Sequence, residues 1–409
     1  MVLKLHKSAI TSSGAEITIT GSKSESNRLL LLQALYPSIE ILNLSNSDDS
    51  MVMQKALTTS ESEIDIHHAG TAMRFLTAFF AIQEGREVIL TGSSRMKERP
   101  IKILVDALNE LGANISYVEN EGFPPLKIKG STLEKSKVSL PANVSSQYIS
   151  ALLLIAPKLK NGLQLTLIGK ITSVPYINMT LELLNKKGVK TAFEGNLLTV
   201  HPQVEITNPK SLVESDWSSA SYYYSMVALS PIGTEIKLSS YEPDSLQGDS
   251  VLAEIYQDYG VTSDFINNSI VLRKSSIENR QSKIEYDLSN SPDITQTIAV
   301  TCFGLGLGCH LKGLHTLKIK ETDRLLALKT ELEKLGASVN VTNDSLELET
   351  ATNIKSDISI TTYNDHRMAM AFAPLALKTS LQIHDAMVVS KSYPTFWDDL
   401  KSIGFKITQ

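Results

Sequence analysis

Five times along this 409-residue chain an amphipathic helical stretch ends in a glycine and passes into an alternating strand. The copies are ILVDALNELGANISYV, LELLNKKGVKTAF, VLAEIYQDYGVTSDF, KTELEKLGASVNV and WDDLKSIGFKIT. Their glycines, Gly112, Gly188, Gly260, Gly336 and Gly404, lie 76, 72, 76 and 68 residues apart. Glycine there suits the left-handed conformation that closes a helix. A sixth copy without the glycine, MVMQKALTTSESEIDI, fills out the series. A second strand usually follows, as in PPLKIKG, NLLTVHP, NSIVLRKS and DSLELET. Each unit therefore reads as helices interleaved with strands and ending in a β-hairpin. Six such units are too many for one core, and three per domain give two pseudo-symmetric α/β lobes.

Composition narrows what such a chain can do. It is globular, with 42% hydrophobic and 20% charged residues. No run approaches the roughly 18 apolar residues of a membrane span. The N-terminal MVLKLHKSAITSSGAEITIT lacks the apolar centre of a signal peptide and reads as strand from the start. The two cysteines, Cys302 and Cys309, lack zinc-site spacing and make no disulfide framework, so a reducing cytoplasm is the expected home. A net charge of −5 offers no global field to nucleic acid. Cation type says more. There are 30 Lys and only nine Arg, and five of the nine (Arg28, Arg74, Arg99, Arg324 and Arg367) fall inside dense polar motifs. The planar guanidinium fork matches phosphate and carboxylate oxygens, which points to an anionic small molecule.

Those motifs are GSKSESNRLL, HHAGTAMRFL, RMKERPI, SSQYISALLL, KETDRL and YNDHRMAMAF. Several share one form, a polar loop leading into an apolar helix, whose N-terminal N–H groups and positive dipole end favour anions. Taken singly each has a plainer reading. SSQY reads equally as a serine cap, and KETDR as a solvated helix start. In NDHR, Asp365 reads as a cap with His366 facing solvent. Asp293 in SPDITQTIAV also reads as a cap, and RMKERP as a basic surface loop ending at a helix-initiating Pro100. No nucleophile stands out: Cys302 lies in an apolar run, and Cys309 and His310 are neighbours on a strand, where side chains point to opposite faces. There is no GxSxG, P-loop or HExxH, and GLGLG at 304–308 lacks dinucleotide-loop spacing. His67 and His68 have no metal-ligand spacing. The inventory points to catalysis by Arg, Lys and carboxylates without metal or cofactor.

As an ordered series, SKSESNR, AGTAMR, RMKERP, SSQY, KETDR and NDHRMAM resemble the EPSP synthase family, and matching stretches run on to SKSYPTFWDDL. The resemblance implies a two-lobed inside-out α/β barrel of six βαβαββ-type repeats, three per lobe. One lobe would comprise residues 1–21 and 215–409, the other residues 22–214. It implies transfer of the enolpyruvyl group of phosphoenolpyruvate to the 5-hydroxyl of shikimate 3-phosphate, with release of phosphate. The implied partners are these two small molecules alone, with no nucleic acid, no membrane and a monomeric chain.

The resemblance also assigns residues. Lys23, Ser24, Arg28, Ser145, Ser146, Gln147, Ser173, Tyr176, Asp293 and Lys320 correspond to contacts with shikimate 3-phosphate. Lys23, Gly70, Arg99, Gln147, Arg324, Arg367 and Lys391 correspond to the phosphoenolpyruvate site, with Arg74 supporting its loop. The reaction adds across the vinyl group through a ketal and then eliminates phosphate, so it needs an acid for the methylene carbon and a base for the hydroxyl. Glu321 is the expected acid and Asp293 the expected base, with Lys23 close to the reacting oxygens.

Three positions depart from the common pattern: His68 where many relatives carry Asn, Phe75 where many carry Pro, and Thr316 in place of an Asn. The nearest rival is the UDP-N-acetylglucosamine 1-carboxyvinyltransferase, but that relative typically carries a loop cysteine in the region of SSRMKERP, and none is present here. A non-catalytic anion-binding protein would keep the cations without needing Glu321 or Asp293.

Overall fold

The computed structural model describes residues 1–11, 15–142, 145–277 and 281–409. The chain forms two compact units, Gly21–Val213 and the pair of segments Met1–Thr20 and Glu214–Gln409.

In the Gly21–Val213 unit the helices are α1 (Lys23–Leu35), α2 (Asp48–Thr58), α3 (Gly70–Ala81), α4 (Ser94–Lys97), α5 (Lys102–Leu111), α6 (Ser146–Ile155) and α7 (Val174–Lys186). One sheet has the spatial order Glu63–Asp65, Glu87–Thr91, Leu126–Lys129, Asn114–Tyr117. Its first pair is parallel, with α3 as the crossover, and the remaining pairs are antiparallel. A second sheet repeats this plan with Lys137–Pro141, Leu163–Ile168, Leu197–Val200 and Thr191–Glu194, crossing over through α6. The chain order of both is βαβαββ. The third sheet is only a parallel pair, Lys210–Leu212 with Glu40–Leu42.

The other unit holds α8 (Trp217–Leu229), α9 (Leu252–Ile255), α10 (Thr295–Leu305), α11 (Arg324–Lys334), α12 (His366–Phe372) and α13 (Phe396–Ser402). One of its sheets, built from Lys283–Asp287, Gly308–Lys312, Ser345–Leu348 and Val339–Val341, is contiguous in sequence. The other two are completed by the start of the chain. Ala15–Ile17 pairs in parallel with Glu235–Ser239, and Leu3–Leu5 lies between Leu381–Ile383 and Ile407–Thr408. A repeat can therefore be closed by strands just over 400 positions apart (Leu5 opposite Ile407).

Burial explains why helices lie inside and sheets outside. Every residue of α8 and α12 is buried, and in α3 only Thr71 is not fully so. The strands alternate instead, as in Leu163–Ile168, where every second side chain is buried. A helix that is apolar all round must be wrapped, whereas an alternating strand wants one wet face. Among the described residues the sheets stay separate and do not join into one hydrogen-bonded barrel. In the second unit α8 and α10 run side by side in the same direction. Ser221 meets Thr297 at 2.9 Å and, one turn on, Thr301 donates to Ser225 at 2.7 Å.

One reading of the sequence changes. The strand in ESEIDI does not finish a degenerate sixth repeat. Glu63–Asp65 pairs with Glu87–Thr91 and opens the next unit, and the two-stranded sheet simply has no hairpin. The helical reading of VLAEIYQDYG shrinks to the single turn of α9 flanked by 3₁₀ turns.

All five repeat glycines have positive φ, between 72° and 112°. At Gly112 a β-carbon would meet nothing closer than 3.9 Å, so only backbone strain opposes a side chain. Gly112→Ala is expected to lower the midpoint of urea unfolding by an amount worth about 1–2 kcal/mol.

Candidate active site

The N-terminal ends of α1, α3 and α6 lie together in the Gly21–Val213 unit. Gln147 in the first turn of α6 donates to Thr71 in the first turn of α3 at 3.1 Å. Arg28 of α1 donates to Ser150 of α6 at 3.0 Å. The caps here are neutral: Ser22 accepts from Glu25 N at 3.4 Å, Ser145 from Gln147 N at 3.4 Å, and α3 starts without a side-chain cap. The exposed N–H groups and positive dipole ends are therefore not cancelled by acids at these caps.

Three cations sit on these ends, and they are held very differently. Arg28 is buried and tied down by four hydrogen bonds: to Thr180 (2.8 Å), Ser150 (3.0 Å) and the carbonyls of Ser24 (2.7 Å) and Tyr176 (3.2 Å). Its guanidinium lies 5.5 Å from the ring centre of Phe75. Burial pulls its pKa down to about 10, which leaves it charged at neutral pH. Lys23 faces Asp49 of α2 at 3.3 Å, and the other oxygen of Asp49 is 3.6 Å from His68. Arg99 is half-buried, and none of the described residues accepts a hydrogen bond from its guanidinium. It packs on the first residue of α3, so that a β-carbon on Gly70 would lie 2.6 Å from its Nη1.

The Arg99 loop is fixed from beneath. Arg74 donates to the carbonyls of Gly70 (3.2 Å) and Pro100 (3.1 Å), and the Tyr148 hydroxyl donates to Pro100 as well. Pro100 does not start a helix, as the sequence suggests; α5 begins at Lys102 with Ile101 as its cap, and the Pro100 carbonyl serves as an anchor. Ser146 and Ser173 are buried, and Ser173 adopts a left-handed φ of 54° at the start of α7, a conformation a β-carbon disfavours by about 1–2 kcal/mol.

The second unit gathers its motifs around carboxylates. Arg324, which opens α11, is buried and binds three acids: Asp365 at 2.6 Å, Asp293 at 2.9 Å and Glu321 at 2.8 Å. Arg367 in α12 binds Asp293 through the carboxylate and the backbone carbonyl, both at 3.1 Å, and Ser218 at 3.3 Å. Lys320 approaches Asp293 at 3.5 Å. Burial alone would raise the Asp293 carboxyl, but Arg367, Lys320 and Arg324 overcome it and hold the group well below the usual carboxylate range. Burial lowers Lys320 despite Asp293. Lys391 donates to the carbonyl and side chain of Asn364, at 2.7 and 2.9 Å.

Asp365 is a cap, accepting from Arg367 N at 2.9 Å, and also a partner of Arg324. His366 is buried and does not face solvent. Cys309 lies on a strand and Cys302 in α10, both buried. Gly306 closes α10 with φ 72°, so GLGLG is a helix end. Sequence reasoning missed Asp49, Tyr148, Ser150, Thr180, Ser218 and Asp249. Tyr148 and Ser150 stand within SSQYISALLL and the others in unremarked stretches, and only the third dimension pairs them with the motif cations. Among the described residues no helix is long and apolar enough to cross a membrane.

A family model for EPSP synthase (3-phosphoshikimate 1-carboxyvinyltransferase) matches residues 45–400. A 3-phosphoshikimate 1-carboxyvinyltransferase of Bacteroides fragilis is 48% identical over 400 residues, covering 96% of each chain. The protein of that name from Pasteurella multocida is 36% identical over 420 residues, covering 94% of each. Among solved structures, EPSP synthase from Acinetobacter baumannii matches over the full length of both chains with TM-score 0.78 at 20% identity. The enolpyruvyl transferase NikO from Streptomyces tendae matches all of this chain and 98% of its own, with TM-score 0.75 at 13% identity. These two share the fold.

The geometry separates two kinds of arginine. Arg324→Ala removes the cation that Asp365, Asp293 and Glu321 share and is expected to cost about 3–5 kcal/mol of stability. Arg99→Ala removes a guanidinium on which no described group depends and is expected to cost under about 0.5 kcal/mol. Urea unfolding of the two variants checks the contrast.

Proposed function

The chain belongs to the EPSP synthase family, and we propose that it performs enolpyruvyl transfer from phosphoenolpyruvate to the 5-hydroxyl of shikimate 3-phosphate with the residues described above. Lys23, Ser24, Arg28, Ser145, Ser146, Gln147, Ser173, Tyr176, Asp293 and Lys320 are proposed to bind the acceptor. Lys23, Gly70, Arg99, Gln147, Arg324, Arg367 and Lys391 are proposed to bind the donor. The observation that carries the reading is the cluster in which Asp293 is shared by Arg324, Arg367 and Lys320 while Glu321 rests on the same Arg324.

That cluster suits addition followed by elimination. An Asp293 gripped by three cations is a stable anion and a weak base. Substrate carboxylate and phosphate groups compete for the same guanidinium and ammonium donors. As those donors turn to the substrate, Asp293 loses the interactions that lower its pKa, and its basicity rises where the acceptor hydroxyl must lose a proton. Glu321, released from Arg324 by the same exchange, becomes easier to protonate, takes up a proton from solvent and is the proposed donor of that proton to the methylene carbon. Lys23 stabilises charge on the reacting oxygens.

Arg28 contributes through a charge already fixed in place, its hydrogen bonds to three helices leaving it little freedom to reorient. Arg99 contributes donors that no described residue occupies. The chain is proposed to act as a monomer in a reducing cytoplasm, in keeping with two buried, unpaired cysteines.

Phosphate release is expected from phosphoenolpyruvate with shikimate 3-phosphate and not with UDP-N-acetylglucosamine; release with the nucleotide sugar alone would sink the acceptor assignment. Asp293→Ala should lower kcat by about 10²–10⁴-fold. Gly70→Ala, whose new carbon displaces the Arg99 guanidinium, should reduce kcat/KM for phosphoenolpyruvate about tenfold, close to 1.4 kcal/mol, with little change in KM for the acceptor.

A further inference from the structure

Behind Arg367 lies a carboxyl that no step above uses. Asp249, in the single turn Gly248–Val251, is only 4% exposed. The Ser218 hydroxyl donates to its Oδ2, and the same hydroxyl oxygen accepts from Arg367 Nη2 at 3.3 Å. Arg367 in turn grips Asp293. The order is therefore Asp249, Ser218, Arg367, Asp293. Its Oδ1 is buried, and none of the described residues gives it a hydrogen bond.

We propose that Asp249 is a positioning residue for donor binding, whose charge, set behind Arg367 and linked to it through Ser218, decides how strongly that guanidinium is offered to an incoming anion. The proposal rests on Arg367 being a donor-binding residue. Whether or not it carries a proton on Oδ1, Asp249 can accept from Ser218 through Oδ2. Protonation therefore changes the charge beside Arg367 without breaking the hydrogen bonds that aim it.

The charged surroundings put that change in the neutral range. Burial, reinforced by Asp293 and Asp216 and opposed by Arg367 and the Ser218 hydrogen bond, pushes the Asp249 carboxyl up to about 7. The turn packs on α8, which brings Ser218 and its cap Asp216, and on α9, whose Glu254 is exposed. Arg367 comes from α12, and Asp293 from the turn ahead of α10.

The sign follows. An anion arriving at Arg367 adds negative charge near Asp249 and favours its protonated form. Donor binding thus takes up a proton, and affinity is highest below the Asp249 pKa and falls as pH rises through it.

The test is KM for phosphoenolpyruvate at saturating shikimate 3-phosphate, from about pH 6 to about pH 8.5, in wild type and Asp249→Asn. The ratio of wild-type to variant KM should rise about five- to tenfold across this range, while the ratio of kcat values stays flat. Comparing the two enzymes removes the donor's own titration. Parallel KM profiles overturn the proposal. Ser218→Ala withdraws the hydrogen bond that favours the ionised form, so its KM inflection should move to higher pH; an unmoved inflection also overturns it, even if Asp249→Asn does not fold. Arg367→Ala tests the underlying reading separately. If it leaves KM for phosphoenolpyruvate unchanged at every pH, the donor assignment fails whatever Asp249 does.

Discussion

Parallel helices packed side by side inside a unit place their positive ends together, and the rest of this structure follows from how that charge is met. A helix end carries about half a positive charge and several unpaired N–H groups. In the Gly21–Val213 unit the caps are neutral, serines at α1 and α6 and no side-chain cap at α3, with Glu25 the one acid in these first turns and cations Lys23, Arg28 and Arg99 added on top. In the other unit they are acidic: Asp216 caps α8, Asp323 caps α11 and Asp365 caps α12. The first arrangement sets three cations over neutral caps, with Lys23 on Asp49 and Arg28 on hydroxyls and carbonyls. The second is a set of arginines already paired with acids, which an anionic ligand must displace. One fold, used twice, thus supplies the proposed anion site in one unit and the proposed acid–base cluster in the other.

The acid–base cluster cannot be understood one residue at a time. Arg324 alone touches Asp365, Asp293 and Glu321, so each acid is positioned by a cation it shares with the others. Desolvation of these groups would be costly if any were left alone. Sharing removes the cost but also quiets the chemistry, because a carboxylate bound this tightly is a poor base. In the proposed mechanism, the same contacts that make the resting unit stable require substrate to unlock it.

Much of this was legible in the chain and some was not. The helix–glycine–strand recurrence gives the repeats because a left-handed helix end has few substitutes, and the five glycines all show positive φ. The polar loops ahead of apolar helices were visible because they break a hydrophobic rhythm. Two things were hidden. Strand partnership has no local signature, whether across the chain, as for Leu3–Leu5 beside Ile407–Thr408, or into the next repeat, as for Glu63–Asp65 beside Glu87–Thr91. Buried hydroxyls and acids such as Ser218, Thr180 and Asp249 look like ordinary helix and turn residues. Their meaning comes from the guanidinium that tertiary packing brings to them.

Phe75 shows how one departure from the family pattern fits this scheme. Arg28 is a buried cation whose hydrogen bonds go to hydroxyls and carbonyls, with the buried Glu25 of the same helix acting on it through space. Such a charge needs an electron-rich neighbour, and the face of an aromatic ring supplies one without adding a counter-ion. With the Phe75 ring centre 5.5 Å away, Arg28 gains that support while its donors brace α1, α6 and α7, which suits the proposed anion-binding role. A carboxylate in that place would steady the guanidinium more strongly and would cancel the field that a phosphate needs. The ring is therefore the better support for an arginine that must stay both fixed and electrostatically unspent.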